Sequence, residues 1–450
     1  MEEKRSSFSG KVGFVLSAAG AAVGLGNIWR FPYLAARYGG GIFLLVYVLL
    51  SLTLGKALMV TEIALGRRTG KSPIGAFGSL HRRFSFIGAL ASIVPAVILP
   101  YYSVIGGWVT KYALAFLSGS SAATVSEGYF EDFVGSVGEP LLWFFLFTLL
   151  CTLIVLAGVD RGVEAISKVM MPLLILLVLC IAIFSLISVE GAMEGALYYL
   201  KPDLSRFTPM TPVAAMGQLF YSMSLAMGVM ITYGSYMRRD ISIKSSAGQI
   251  ELFDTAVAFL SGLMILPAVF AFGGEEALAE SGPSLMFVTL PRIFASMRGG
   301  AVIGAAFFLM VFLAALTSTV SMMETVVSTL LDRTSIKRRL CCILVAGLAL
   351  ILGTVTALGY NVLDGLRPLG MYLLDLFDFL SNGLLMPTVA LLTCIFVGHV
   401  VGTRTVTEEL SLSDKVPGRA YTLTVKYLAP ACILAILISS VLGVLGVISI

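Results

Sequence analysis

Residues 17–41 read "SAAGAAVGLGNIWRFPYLAARYGGG". The stretch opens as a small-residue apolar helix, then places Gly24, Gly26, Asn27, Arg30 and Pro32 where a membrane helix holds hydrocarbon. That the surroundings are a membrane follows from the rest of the chain. Of its 450 residues 58% are hydrophobic and 12% charged, against about 45–50% and about 25% in a soluble domain. A spanning helix takes about 20 mostly apolar residues. Eleven stretches qualify: 12–37, 41–66, 86–118, 141–158, 166–188, 211–237, 250–272, 300–331, 340–358, 371–400 and 421–448. The expectation is an all-α polytopic membrane protein of eleven transmembrane helices, with 1–450 as one domain and 421–448 as the last helix.

Charge sets the expected orientation. Lys and Arg gather in alternate loops, among them Arg67, Arg68, Lys71, Arg82 and Arg83, then Arg238, Arg239 and Lys244, then Arg333 to Arg339. The 119–140 loop carries Glu127, Glu131, Asp132 and Glu139 and no basic residue. By the positive-inside rule the N-terminus is cytoplasmic and, after eleven spans, the C-terminus is outside, as in a multi-pass protein of a bacterial inner membrane. "MEEKR" is a short charged flank without a cleavage signature. The six cysteines lie in or beside spans, so no disulfide framework or metal cluster is expected. Neither histidine sits in a catalytic motif. Nothing marks a nucleic-acid surface, and a monomer or weak dimer in the bilayer is expected. Residues 273–300, interrupted by Gly282, Pro283 and Pro291, read as a short helical hairpin dipping into an outer vestibule.

The first span has a counterpart. Residues 220–236, "FYSMSLAMGVMITYGSY", place Ser222, Ser224, Gly228 and Thr232 in mid-span. The two interrupted spans open two five-span halves, 12–188 and 211–400. An odd span number per half inverts the second relative to the first. Paired interruptions in inverted repeats point to a transporter's substrate site. Unwinding frees N–H and C=O groups that lipid cannot satisfy, so they line a polar cavity. Glycine lets the backbone leave helical geometry, and Asn27 can offer an amide oxygen to the same cavity. Helix–helix packing explains Ala18 to Gly24 equally well, but not Asn27 or Arg30.

"AAVGLGNIWRFPYLAARYGGG" resembles the signature of the neurotransmitter:sodium symporter family, whose bacterial members carry amino acids. Matching segments follow in order: "YYSVIGGW" (101–108), "SMSLAMGVMITYGSY" (222–236), "LAALTSTVSMME" (313–324) and "LLDLFDF" (373–379). The resemblance implies ten core helices, here followed by an eleventh without the family's usual twelfth. It implies a first Na+ site from the Ala22 carbonyl, Asn27, Ser222 and Asp254 with the substrate carboxylate. It implies a second from the carbonyls of Gly20, Val23 and Ala314 with the hydroxyls of Thr317 and Ser318. Both sets are oxygens, which suit a hard cation. The substrate carboxylate is expected at the N–H groups around Leu25 and Gly26 and at the Tyr102 hydroxyl. Ser224 stands in the second break. Ile98, Tyr221, Ala226, Met227, Thr319 and Met322 match side-chain pocket positions. Bulky Ile98, and Ala226 in place of a common glycine, narrow the pocket, and flexible methionines relax it. A medium-sized apolar amino acid is expected, with an aromatic one open.

Arg30 with Asp378, above Tyr102 and Tyr221, matches the family's outer gate. Arg5 with Asp332, and Phe8 alongside, matches the inner latch. Gly162 and Pro172 match a place of local unwinding at the start of the fifth helix, with an ordinary proline kink as the alternative. Asp254 departs from the common Asn. Tyr47, Gln218 and Ser222 match a chloride site whose remaining position is Ala258, which cannot hold an anion. A carboxylate at 254 supplies that charge, so no chloride is expected, and Asp254 could take up a proton on the empty return step and export it. The rival readings are a same-fold amino-acid sensor or channel without coupled transport, and an intramembrane enzyme. No signalling domain, continuous pore or nucleophile motif supports them. Lys56, a mid-span lysine, has no partner readable from the sequence.

Overall fold

The computed structural model describes residues 7–277, 283–411 and 418–445, and regular structure among them is helical throughout. Nine helices are long and apolar enough to cross a membrane, and a bent pair, Lys11–Ala22 with Gly26–Arg37, makes a tenth. Met210–Ser222 and Val229–Ser235, separated by a six-residue break, stand where the sixth span is expected. The described order therefore follows the eleven expected segments.

Burial sorts them into layers. In Gly300–Arg333, the eighth span, 61% of the apolar window is buried, whereas in Gly418–Val444, the eleventh, 22% is, so the eighth is central and the eleventh peripheral. The fourth span, Gly138–Leu156, turns Leu142, Phe145, Leu149 and Leu153 outward. These recur every three or four residues and form one exposed apolar helix face.

Two boundaries differ from the sequence reading. The fifth span begins at Val159 with a wide π-helical turn, Val159–Glu164, and the seventh at Ile243. Both starts are polar, and hydropathy alone does not carry a helix through Asp160 and Arg161, or through Lys244 and the serines beside it. Local unwinding between Gly162 and Pro172 is not found. Ala165–Ser188 runs on as helix with Pro172 inside it. Proline withholds one N–H, here from the Lys168 carbonyl, and the helix closes around that single loss.

The first span breaks at residues 23–25, where its two halves meet at 54°. Val23 leaves helical geometry at φ −72, ψ 108. The sixth breaks at residues 223–228, with φ +50 at Ser224, +60 at Ala226 and +70 at Gly228. The last suits glycine; the other two are strained for side chains with a Cβ, at about 1–3 kcal/mol each.

The outer segment after the seventh span forms a wide turn, Leu285–Thr289, and a short helix, Leu290–Ser296. Phe287 packs it against the third span, 5.0 Å from Tyr112 and 5.9 Å from Trp108, and stacks on Phe130 at 5.1 Å. The turn of the expected hairpin, 278–282, lies outside the described residues.

Candidate ion and substrate site

Each break is held by the other. Where the first span unwinds, the carbonyls of Gly20, Ala21 and Val23 accept from the Ser318 hydroxyl of the eighth span at 3.3, 3.3 and 3.1 Å. Ser224 donates to the Ala21 carbonyl at 2.8 Å, and Gln218 Nε2 to the Gly26 carbonyl at 2.8 Å. On the far side of the break, N–H groups begin the second half-helix. Gly24 N–H donates to Asn27 Oδ1 at 3.0 Å and Leu25 N–H to the Tyr102 hydroxyl at 2.9 Å. These are the orphan donors of a helix start, satisfied from within the chain. Gly24 is needed because a Cβ there would stand 2.6 Å from the Tyr102 oxygen and 2.8 Å from Ser318 Oγ.

The residues expected around the first Na+ converge. Asp254 Oδ1 accepts from Asn27 Nδ2 at 2.7 Å and from Ser222 Oγ at 2.8 Å; Asp254 Oδ2 accepts from Tyr47 at 3.1 Å. Asn27, Ser222 and Asp254 are buried, as is Ala22. One detail departs from the expectation. Asn27 turns its NH2 to Asp254 and its oxygen to Gly24, so serving a cation requires the amide to turn over. The second set also gathers. Thr317, whose hydroxyl donates to the carbonyls of Leu313 and Ala314 at 3.0 and 3.2 Å, lies against Gly20, where a Cβ would come 3.2 Å from Thr317 Cβ. Oxygen is the only donor type in either set, and that fits Na+.

Beside these sets lies a cavity of ≈ 20 Å³ lined from both breaks and from the third and eighth spans. That holds about one water. Gly26, Ile98, Tyr102, Tyr221, Ser224, Met227 and Met322 line it as expected, and Ala21, Gly24, Ser318 and Ser321 join them. Leu25, expected for its N–H, turns that N–H to Tyr102 and its side chain to the outer cavity. Two expected pocket residues are placed elsewhere. Thr319 spends its hydroxyl on the Ala315 carbonyl at 2.7 Å. Ala226 sits in the strained turn with its N–H on Glu62 Oε1 at 2.7 Å. Glu62, 3% exposed within the second span, was passed over in the sequence. An acidic residue in a span is itself a signal.

Above the small cavity an outer vestibule of ≈ 480 Å³ is lined by Trp29, Arg30, Tyr101, Tyr221, Asp375 and Asp378 among others. Arg30 and Asp378 share it without forming an ion pair. The guanidinium lies 5.2 Å from the Tyr221 ring centroid, and Asp378 Oδ1 accepts from Asn382 at 2.6 Å and Tyr101 at 3.1 Å. Tyr101, not Tyr102, reaches the carboxylate. The inner end is shut. Phe8 is 1% exposed, donates its N–H to the Tyr236 carbonyl at 3.2 Å, and meets Tyr233 edge-on at 5.4 Å. Tyr236 donates to Glu324 at 2.9 Å, and Arg338 pairs with Glu324. Asp332 accepts from Ser72 N–H at 2.6 Å; Arg5 lies outside the described residues. Lys56 does have a partner, Glu251 of the seventh span at 3.3 Å.

Comparison with known proteins gives a consistent picture. The family model described as the sodium:neurotransmitter symporter family matches residues 5–129 and 123–446. An uncharacterized sodium-dependent transporter, YhdH of Bacillus subtilis (strain 168), is 34% identical over 100% of this chain and 99% of its own length. A sodium- and chloride-dependent taurine transporter of Rattus norvegicus is 27% identical over 89% of this chain and 72% of its own. The crystal structure of MhsT in complex with L-phenylalanine superposes with a TM-score of 0.89 at 34% identity, covering 97% of this chain and 100% of that one.

Proposed function

The chain belongs to the sodium:neurotransmitter symporter family, a family of sodium-dependent membrane transporters rather than enzymes, and from that premise we propose that it carries a medium-sized apolar L-amino acid inward with Na+ and without chloride. The observation that carries the reading is the meeting of the two breaks. Both open onto one small cavity, with oxygen ligands for a cation on one side and helix-start N–H groups on the other. In the proposal a zwitterion enters between them as the cavity, now the size of about one water, opens. Its carboxylate takes the Leu25 N–H and the Tyr102 hydroxyl, now bonded to each other, and completes the first Na+ site. Ile98, Met227 and Met322 meet its side chain. The phenylalanine held by MhsT keeps aromatic amino acids in the candidate set.

Na+ occupies two sites in this proposal, the first at Ala22, Asn27, Ser222 and Asp254, the second at Gly20, Val23, Ala314, Thr317 and Ser318. Asp254 supplies the fixed negative charge for which Ala258 offers no anion ligand. Residues 12–188 and 211–400 act as inverted repeats that rock about the breaks. Arg30 closes on Asp378 from above, and the Phe8 plug, with Arg5 and Asp332, opens below. The N-terminus faces the cytoplasm of a bacterial cell, the C-terminus the outside. Because the substrate carboxylate is itself a Na+ ligand, each strengthens the other's binding, as linkage requires.

The test is a thermal-shift screen of the twenty amino acids in sodium and in potassium buffers. A ligand that binds the folded state stabilises it. Substrates are expected to raise the midpoint in sodium only; a set of amino acids acting equally in potassium contradicts the proposal.

A further inference from the structure

A second cavity, of ≈ 350 Å³, opens on the face proposed as cytoplasmic, beside the Ser72–Asp332 contact and apart from the small central cavity. Three parts of the chain build it: the turn after the second span with the helix Pro73–Leu80, the start of the third span at Arg82, and the end of the eighth at Arg333. Lys71, Arg82 and Arg333 line it with the hydroxyls of Ser79 and Ser85, and no carboxylate does. Lys71 Nζ donates to Ser79 Oγ at 3.0 Å, a neutral partner. Its stem lies on Gly75, where a Cβ would come 2.9 Å from Lys71 Cβ, so the helix surface is bare beneath the ammonium. The Arg82 and Arg333 side chains make no hydrogen bond or ion pair among the described residues. The adjacent Asp332 accepts from the Ser72 N–H at 2.6 Å through one of its two oxygens.

Three cations around one hollow repel one another. Two neighbouring arginines on this face do have carboxylate partners: Arg67 pairs with Glu409 at 2.6 Å and Arg68 with Glu408 at 3.3 Å. The unmatched set calls for an anion with more charge and more acceptor oxygens than one carboxylate. Guanidinium forks suit phosphate oxygens bidentately, and an ammonium adds a point charge. We propose that this cavity binds a phosphate-type oxyanion, which ties the end of the second span to the third and eighth. The inference stands apart from the identity of the transported substrate. Its source is either a soluble phosphate or the headgroup of an anionic phospholipid in the adjoining leaflet.

The experiment uses the full chain. In detergent, inorganic phosphate is titrated at constant ionic strength and the unfolding midpoint is read. In a parallel arm the protein is placed in nanodiscs of phosphatidylcholine with or without phosphatidic acid. A rise with phosphate identifies a soluble ligand; a rise with phosphatidic acid alone identifies a headgroup. The Arg82→Gln/Arg333→Gln variant is expected to lose the rise while keeping its stabilisation by Na+, which shows that it is folded. Single Arg82→Gln and Arg333→Gln variants, which serve if the double variant does not fold, are expected to raise half-saturating phosphate or lipid several-fold. Arg419→Gln, an exposed arginine outside the cavity, is expected to respond as wild type. No rise in either arm, a rise undiminished in the Arg82 and Arg333 variants, or an equal loss in Arg419→Gln would overturn the proposal.

Discussion

Asp254 takes hydrogen bonds from Asn27, Ser222 and Tyr47, three donors drawn from three spans. Replacing it by Ala leaves those buried donors without an acceptor, at roughly 1–3 kcal/mol for each that stays unpaired. The sodium concentration for half-maximal uptake by Asp254→Ala is therefore expected to rise roughly tenfold or more, since about 1.4 kcal/mol is a decade. Wild-type uptake is expected to be unchanged when chloride is replaced by gluconate. Tyr102→Phe removes the acceptor of the Leu25 N–H, and with it a proposed donor to the substrate carboxylate. Substrate binding by calorimetry is expected to weaken by roughly 10–100-fold. At this scale the sequence is only partly legible. The resemblance to the symporter family, not spacing, marks Asn27, Ser222 and Asp254 as a group. It does not tell which face of the Asn27 amide meets the carboxylate, that Tyr101 rather than Tyr102 reaches Asp378, or that Lys56 pairs with Glu251. Those depend on how helices far apart in the chain are rotated against each other.

The two interrupted helices follow from a few small residues. Glycines at 24 and 26 let Tyr102, Ser318 and Tyr221 approach the backbone; at Gly26 a Cβ would stand 2.6 Å from the Tyr221 ring. Gly24→Ala is expected to abolish uptake while the protein still inserts and folds, as read by size-exclusion and surface labelling. The sixth span behaves differently, because it bends through Ala226 at φ +60. Glycine carries no Cβ strain there, so Ala226→Gly is expected to stabilise the protein by about 1 kcal/mol, read as a higher midpoint of unfolding. Wide turns adjoin both proposed gate residues: Gly26–Arg30 includes one and Phe379–Leu385 follows the other. Such turns often accompany function. The breaks were legible because a run of Gly, Ser and Asn contradicts a lipid-facing helix. The polar starts of the fifth and seventh spans were not, because hydropathy reports where lipid is, not where hydrogen bonding continues.

Taken whole, the molecule is shut below by Phe8 and Tyr233 and open above at a vestibule of ≈ 480 Å³. Between them the small cavity is nearly closed by its own side chains, as expected of a site whose ligands are still paired with one another. In the proposed cycle, loading replaces those internal bonds by bonds to cation and carboxylate, and closure of Arg30 on Asp378 follows. Each net charge carried inward at 100 mV contributes about 2.3 kcal/mol, between one and two decades of accumulation. The overall architecture was the most legible level, since apolar length marks most of the spans, the broken sixth being the exception. The direct measurement is uptake of a labelled substrate, chosen by the thermal-shift screen, into proteoliposomes with sodium or potassium outside. An inward sodium gradient is predicted to drive accumulation above the outside concentration, with none in potassium. Equal accumulation in the two salts would contradict the account.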